Sequence, residues 1–171
     1  MLQIFTDGSC INEWEAKQKW LLATDEWWIW IAIYRNWKLE KEVAENYMQT
    51  TNNRMELTGC IQALSTLPSE FSGKTITLYS DSEYVVKGMT LWIQGWQKKG
   101  WRTASKKEVL NRDLWEKLLS VSQGKDIKWL HVDGHADNEG NNRCDVIATS
   151  FADNNPVKLY SGLLSGYHIS V

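Results

Sequence analysis

The sequence is poor in residues that interrupt or cross-link a chain. Its 171 residues include two prolines and three cysteines, and the cysteines are widely spaced. An odd number of isolated cysteines argues against a disulfide framework or a zinc site, so we expect reduced, buried thiols. No apolar run approaches the roughly 20 residues of a membrane-spanning helix, and the first residues lack a signal-peptide pattern. These absences predict a soluble, cytoplasmic protein with no membrane contact.

Charge of one sign dominates only locally. The chain carries 19 basic and 21 acidic side chains, but residues 87–112 contain seven basic ones and a single acidic one. A basic island on an acidic body indicates a polyanion-facing surface beside a cation-binding one, although a merely solvated basic face fits equally well. Length and a hydrophobic content of 43% predict one globular domain spanning residues 1–171.

Hydrophobic periodicity predicts alternating strands and helices. Apolar alternation favours strands, and apolar residues at helical spacing favour helices. The second strand has two apolar faces and is therefore expected to be covered on both sides. The order predicts an α/β fold: a five-stranded mixed sheet, its first three strands antiparallel, with helices on both faces. The predicted strands are 2–6, 28–34, 37–47, 74–79 and 127–132, and the predicted helices are 54–67, from about 82, 110–121 and 144–151.

Four acidic residues occupy positions that core packing does not require. Asp7 and Asp81 lie at the ends of predicted strands, and Glu56 and Asp145 lie in the first turns of predicted helices. Open sheets place their sites at such strand ends and helix starts. Carboxylates that converge repel one another unless a hard cation such as Mg²⁺ lies between them. Two such ions suit phosphodiester hydrolysis.

Each acid also fits a purely structural role. Asp7 and Asp81 suit turns or helix N-caps. Glu56 completes a capping box with Asn53, and Asp145 complements a helix dipole. Spacing alone leaves both interpretations open.

Four motifs follow one another along the chain: residues 6–10 (TDGSC), 50–57 (TTNNRMEL), 80–85 (SDSEYV) and 134–136 (GHA) through 141–145 (NNRCD). In this order they resemble the motifs of type-1 ribonuclease H in its bacterial form. The stretch 92–101 (WIQGWQKKGW) is similar to that family's basic protrusion, which we place at about 92–107. The resemblance implies a ribonuclease H-like fold and endonucleolytic hydrolysis of the RNA strand of RNA–DNA hybrids, leaving 5′-phosphate and 3′-hydroxyl ends.

The same resemblance implies roles for individual residues. Asp7 would bridge two Mg²⁺ ions bound with substrate, for which Mn²⁺ is a possible substitute. Glu56 and Asp81 would complete the side facing the leaving 3′-oxygen, and Asp145 would hold the ion that carries the attacking water. His135, on the loop before the last helix, would assist proton movement or product release.

A second set of residues is expected to bind the RNA–DNA hybrid, with the protein acting as a monomer. Amide and hydroxyl donors suit the RNA minor groove, and lysines and arginines suit phosphates. The tryptophans of this set also form a stripe at helical spacing, so we expect Trp92 and Trp96 to belong partly to the core. The set is Thr51, Asn52, Asn53, Trp92, Trp96, Lys98, Lys99, Trp101 and Arg102.

The chain departs from the family pattern after its first motif. No glycine occurs between Gly8 and Gly59, where the family has a glycine-rich loop, and residues 11–28 form an atypical tryptophan-rich insertion. We expect this insertion to pack over the sheet and to alter hybrid affinity. Gln49 replaces an arginine that many members place near a DNA phosphate.

Three other readings compete with this one. A junction resolvase or a strand-transfer core of the same superfamily shares the carboxylates, but it lacks residues 52–56 (NNRME) with the tryptophan protrusion. A hybrid-binding module of reduced activity would gain nothing from an acidic cluster that repels phosphates. A glycosidase would use paired carboxylates and tryptophan stacking without a metal.

Overall fold

A computed structural model describes residues 1–10, 26–48, 50–67, 71, 73–133, 139–152, 157–163 and 166–170. Within them, seven strands form one sheet in the order β5-β4-β1-β2-β3-β6-β7. The strands β1, β2 and β3 pair antiparallel, whereas β1, β4 and β5 pair parallel. Their bounds are β1 Leu2–Cys10, β2 Glu26–Arg35, β3 Lys38–Met48, β4 Thr75–Ser80, β5 Asp126–His131, β6 Leu159–Leu163 and β7 Gly166–Ser170.

The helices follow the predicted order along the chain. A short π-helical stretch, Gly88–Trp92, joins the second helix to the third, so that residues 83–98 form one continuous helical segment. The bounds are α1 Asn52–Ser65, α2 Glu83–Lys87, α3 Ile93–Lys98, α4 Arg112–Ser122 and α5 Glu139–Ala152. No helix among the described residues is long and apolar enough to cross a membrane.

Strand β2 lies at the centre of the fold because both of its faces are apolar. Ile29, Ile31 and Ile33 pack into a core shared with α1 and α4. Trp30, Ala32 and Tyr34 face a second cluster that includes Cys144 and Ile147 of α5. The predicted burial of this strand on both faces, and the placement of helices on both faces of the sheet, are therefore confirmed.

The predicted five-stranded mixed sheet is confirmed, and two strands extend it. Strands β6 and β7 form an antiparallel hairpin that joins the edge of β3 at the pair Lys41–Ser161. This hairpin was not predicted from the sequence. A strand that pairs with an existing sheet edge gains its stability from that edge, and local pattern cannot show which edge is available.

Three predicted boundaries were wrong. Strand β1 continues through Cys10 because β2 pairs with it as far as Trp27. The N-cap of α1 is Thr51 rather than Asn53, so the proposed capping box between Asn53 and Glu56 does not form. Helix α5 begins at Glu139, which places Asp145 beyond its first turn.

The cysteine prediction is confirmed for the two thiols whose side chains the structure describes. Cys60 and Cys144 are free and buried. Burial raises the pKa of the Cys60 thiol to about 12, and its Sγ lies 3.4 Å from Thr6 Oγ1. Cys60 therefore stays protonated at neutral pH and cannot serve as a nucleophile. Of the tryptophan-rich insertion, residues 26–28 belong to β2, and residues 11–25 lie outside the described residues.

Candidate active site

Two aspartates come together because the strands that carry them are parallel neighbours. The pairing of β1 with β4 ends at Thr6 and Ser80. Asp7 directly follows the first of these residues, and Asp81 directly follows the second. Because neighbouring parallel strands have their carboxyl ends on the same side of a sheet, both carboxylates lie at the carboxyl ends of β1 and β4, as the sequence predicted.

Glu56 joins them because α1 approaches β1 without a side chain in between. A Cβ on Gly8 would lie 2.7 Å from the Met55 carbonyl carbon and 2.8 Å from the Glu56 nitrogen. Only glycine permits this approach, since real Cβ atoms do not come within 3.0 Å of other atoms. The close contact holds the first turns of α1 against the strand that carries Asp7.

The three carboxylates form one compact group. Asp7, Glu56 and Asp81 each offer an oxygen, and these oxygens all lie within 4.8 Å of one another. Asp7 is 8% exposed and Glu56 is 3% exposed. Buried like charges at this distance repel, and a divalent cation with oxygen ligands offsets both the repulsion and the desolvation. The donor set, which contains oxygen alone, fits a hard cation such as Mg²⁺ or Mn²⁺ rather than a thiolate-seeking metal.

The turn that follows β4 is fixed by hydrogen bonds on several sides. The Ser82 N–H donates to Ser80 Oγ at 3.1 Å, and Ser82 Oγ accepts from the Val85 N–H at 3.4 Å, which caps α2. At the end of β5, His131 Nε2 lies 3.0 Å from the Asp81 carbonyl oxygen. The Asp81 backbone is thereby held between β4, α2 and β5.

Sequence reasoning did not single out His131. Its contact with Asp81 depends on the register of β4 and β5, in which His131 pairs with Ser80. A signal existed in the sequence, since His131 ends the strand predicted to lie beside the one that carries Asp81. Without the order of strands in the sheet, that signal could not be recognised.

The structure places Asp145 on a helix that packs against β1. The N-terminal turn of α5 rests on the Phe5 ring, because a Cβ on Gly140 would lie 2.2 Å from Phe5 Cδ2. Cys144, the neighbour of Asp145, is buried in the same cluster. The side chain of Asp145 and the whole of His135 lie outside the described residues.

The three polar residues predicted to bind nucleic acid lie where α1 begins. Thr51, the N-cap, and Asn52 and Asn53, the first helical residues, are all exposed. The next residue, Arg54, donates two hydrogen bonds to Asp113 of α4, at 2.7 and 3.1 Å. The donors of residues 51–53 thus lie at the start of the helix that carries Glu56. Gln49 lies outside the described residues.

The tryptophans of residues 92–107, here called the basic segment, are partly packed and partly exposed. Trp92 and Trp96 have ring centroids 5.6 Å apart, and Trp96 contacts the buried Trp115 at 5.4 Å. Trp96 is half-buried and packs against the core, so the expectation of a partial core role is confirmed for Trp96. Trp92 is 36% exposed, and its ring lies beside those of Trp96 and Tyr84. Trp101 is half-buried and packs beneath the Arg112 guanidinium, 5.5 Å from its ring centroid.

The basic side chains of this segment point outward. Lys98, Lys99 and Arg102 are exposed. Arg102 Nη1 donates to the Lys106 carbonyl at 3.0 Å. The backbones of Arg102 and Glu108 form an isolated antiparallel β-bridge. The segment therefore exposes positive charge at the end of α3 and in the residues that follow it, and its contact with nucleic acid stays a prediction.

Comparison with known proteins links this geometry to one family. The ribonuclease H family model matches residues 1–153. A Ribonuclease H of Acetivibrio thermocellus is 42% identical over 158 residues, covering 92% of this chain and 98% of that protein.

Two solved structures share the fold. LC9-RNase H1, described as a type 1 RNase H with the type 2 active-site motif, has a TM-score of 0.71 at 23% identity and covers 99% of this chain and 77% of that one. LC11-RNase H1, solved in complex with an RNA/DNA hybrid, has a TM-score of 0.62 at 19% identity and covers 90% and 98%. At these identities the likeness concerns the fold alone.

Proposed function

The chain belongs to the ribonuclease H family, and from this premise we propose that the cluster of Asp7, Glu56 and Asp81 is the centre at which it hydrolyses the RNA strand of RNA–DNA hybrids. The observation that carries the proposal is the convergence of three acids, from three separate elements, within 4.8 Å. None of the structural roles that the sequence allowed these acids requires them to meet, and the capping box that would have explained Glu56 does not form.

The enzyme is metal-dependent, and we assign its metal ligands residue by residue. Asp7, Glu56 and Asp81 would hold one ion, and Asp7 and Asp145 would share the second. Mg²⁺ is the preferred ion and Mn²⁺ a substitute, because both accept oxygen ligands and retain water. When bound, such ions lower the pKa of a coordinated water and stabilise an oxyanion leaving group.

The protein side chains position the groups that react. The Asp7 and Asp81 carboxylates would hold, at the ends of β1 and β4, the cations that bind the phosphate, and the buried position of Glu56 keeps bulk water from one side of the cluster. A water attacks phosphorus as the bond to the 3′-oxygen breaks, which leaves a 5′-phosphate and a 3′-hydroxyl. His135 would accept or return a proton at the loop that precedes α5.

Substrate binding is assigned to two surfaces. Thr51, Asn52 and Asn53 would donate to the sugar edge of the RNA strand, where 2′-hydroxyls distinguish RNA from DNA. The basic segment 92–107 would seat the DNA strand through Trp92, Trp96 and Trp101 and through Lys98, Lys99 and Arg102. Sugar and phosphate contacts of this kind position a duplex without reading its sequence. We further propose that residues 1–171 form a single domain and that the protein acts as a monomer in the cytoplasm.

The direct test is cleavage of a labelled RNA–DNA hybrid with and without Mg²⁺. Pure RNA duplex, pure DNA duplex and a four-way junction are the comparison substrates. We expect cleavage of the hybrid alone and its loss on addition of a chelator. Preferential cleavage of the junction would favour a resolvase, and cleavage that survives the chelator would exclude the metal centre.

Single substitutions test the assigned ligands. Asp81→Asn is expected to abolish most cleavage while hybrid binding is retained, because it removes a charge from the metal site and leaves the binding surfaces intact. Asp7→Asn, Glu56→Gln and Asp145→Asn should behave alike. Asp126→Asn is the matched control, since Asp126 lies at the opposite end of the β4–β5 pair, where it accepts from Thr75 Oγ1. Normal turnover by Asp81→Asn would overturn the assignment.

A further inference from the structure

A second buried carboxylate lies outside the active-site cluster. Glu42, on β3, has a fully buried side chain. Its Oε1 accepts from Arg143 Nε at 2.5 Å, and its Oε2 accepts from Arg143 Nη2 at 2.9 Å. The Tyr160 N–H of β6 donates to Oε2 at 2.6 Å. One carboxylate therefore joins a central strand, the last helix and an added edge strand.

Burial of this pair imposes a strict geometry. Glu42 lies opposite Ala32 of the neighbouring strand β2, and Ala32 belongs to the apolar cluster that α5 covers. A carboxylate in such surroundings is tolerated only when its oxygens are hydrogen-bonded and its charge is opposed. Arg143 supplies both in a bidentate arrangement. A shift or rotation of α5 would break this arrangement.

The contact is close in sequence to an active-site acid. Arg143 precedes Asp145 by two residues in α5. The helix is also held at Gly140, which rests on the Phe5 ring of β1. The contact with Phe5 is apolar, and hydrophobic burial carries no directional preference. The Arg143–Glu42 pair adds a directional constraint one turn further along the helix.

We propose that Glu42 and Arg143 are positioning residues that set the placement of α5 and thereby bring Asp145 into the metal site. This inference rests on the proposed function, in which Asp145 is a metal ligand. Neither residue is expected to touch substrate or metal. Their effect should appear in metal binding and turnover rather than in affinity for the hybrid.

The principal variant is Glu42→Gln, which keeps the shape and removes the charge. We expect kcat to fall about 10-fold and the Mn²⁺ concentration for half-maximal activity to rise about 10-fold, as is typical when a group that orients a ligand is lost. KM for the hybrid should stay within about twofold. Mn²⁺ titration by calorimetry, without substrate, should show the same weakening. Glu40→Gln is the matched control, because Glu40 lies on the same strand and pairs with Arg35 on the sheet.

A double variant separates positioning from stability. Glu42→Met with Arg143→Met removes both charges, so that neither is left buried alone, and should restore the melting temperature that Glu42→Gln lowers. We expect it to retain the weakened Mn²⁺ response, since the directional contact is still absent. If the double variant, or a folded Glu42→Gln, binds and uses Mn²⁺ like the wild type, the inference is wrong. If the wild type cleaves no hybrid, the proposed function fails, and the calorimetric comparison alone decides the inference.

Discussion

At the scale of single residues, Gly8 determines how closely α1 approaches β1. The absent side chain lets the α1 backbone lie where a Cβ would be 2.7 Å from Met55 and 2.8 Å from Glu56. Both clashing atoms belong to the backbone, which cannot rotate away as a side chain could. The spacing between Asp7 and Glu56 therefore depends on Gly8, which has no side chain and takes no part in the chemistry itself.

Replacement of Gly8 by alanine tests this dependence. We expect Gly8→Ala to displace the start of α1, to lower the free energy of unfolding by about 1–3 kcal/mol, as overpacking does, and to reduce cleavage more than hybrid binding. Thermal unfolding and steady-state kinetics measure the two effects.

Gly59→Ala provides the control on the same helix. A Cβ there would lie 3.7 Å from the nearest atom, which is an ordinary contact. Alanine also has the higher helix propensity, by up to about 1 kcal/mol. The stability and activity of the Gly59→Ala protein should equal or exceed those of the wild type. A Gly8→Ala protein with unchanged kinetics would show that α1 tolerates a shift.

At the scale of elements, an ion pair ties the start of α1 to the start of α4. Arg54 binds Asp113 through two nitrogens and contacts Asn111 Oδ1 at 3.3 Å. The hydrogen bond to Arg54 is the main cause that lowers the pKa of Asp113 below its ordinary value of 3.8. Asp113 is largely exposed, so the pair contributes only about 0.5–1 kcal/mol.

The pH dependence of stability follows from the direction of that shift. Because the native pKa of Asp113 is depressed, its stabilisation is complete above pH 3.8 and is lost as the pH falls through the lower native value. Asp113→Asn should therefore lower the free energy of unfolding by about 0.5–1 kcal/mol at pH 7. The difference from wild type should narrow below pH 3.8 in urea titrations.

Glu116→Gln is the control for this series, because it removes an exposed i,i+4 pair with Arg112 on the same helix. We expect it to change stability by only about 0.3–0.5 kcal/mol. A difference between Asp113→Asn and wild type that persisted unchanged into strong acid would contradict the assigned pair.

At the scale of the whole molecule, the carboxylate cluster and the exposed basic side chains come from different segments of the chain. The carboxylate cluster lies at one sheet edge, and Lys98, Lys99 and Arg102 project from the basic segment. Basic side chains that neutralise phosphates release counterions, so their contribution depends on salt.

The double variant Lys98→Ala with Lys99→Ala tests this surface. We expect KM for the hybrid to rise, kcat to change little, and the slope of log binding constant against log salt to become shallower by up to about 2. Lys74→Ala with Lys125→Ala makes the same change in net charge just before β4 and β5, at the ends opposite Asp81. That control should keep the wild-type slope, and an equal loss in both pairs would indicate a non-specific effect of net charge.

The sequence by itself determined the features that repeat locally or stand in a motif. The two apolar faces of β2 predicted its burial, helical spacing predicted α1 and α4, and strand ends identified Asp7 and Asp81. Tertiary structure alone decided the rest. The contact of His131 with Asp81, the pairing of Glu42 with Arg143 and the addition of β6 and β7 all join residues far apart in sequence. The approach of Asp7, Glu56 and Asp81, which the family resemblance implied, joins distant residues in the same way. Such contacts depend on strand order and register, which are set by the packing of the whole chain rather than by the pattern of any one segment.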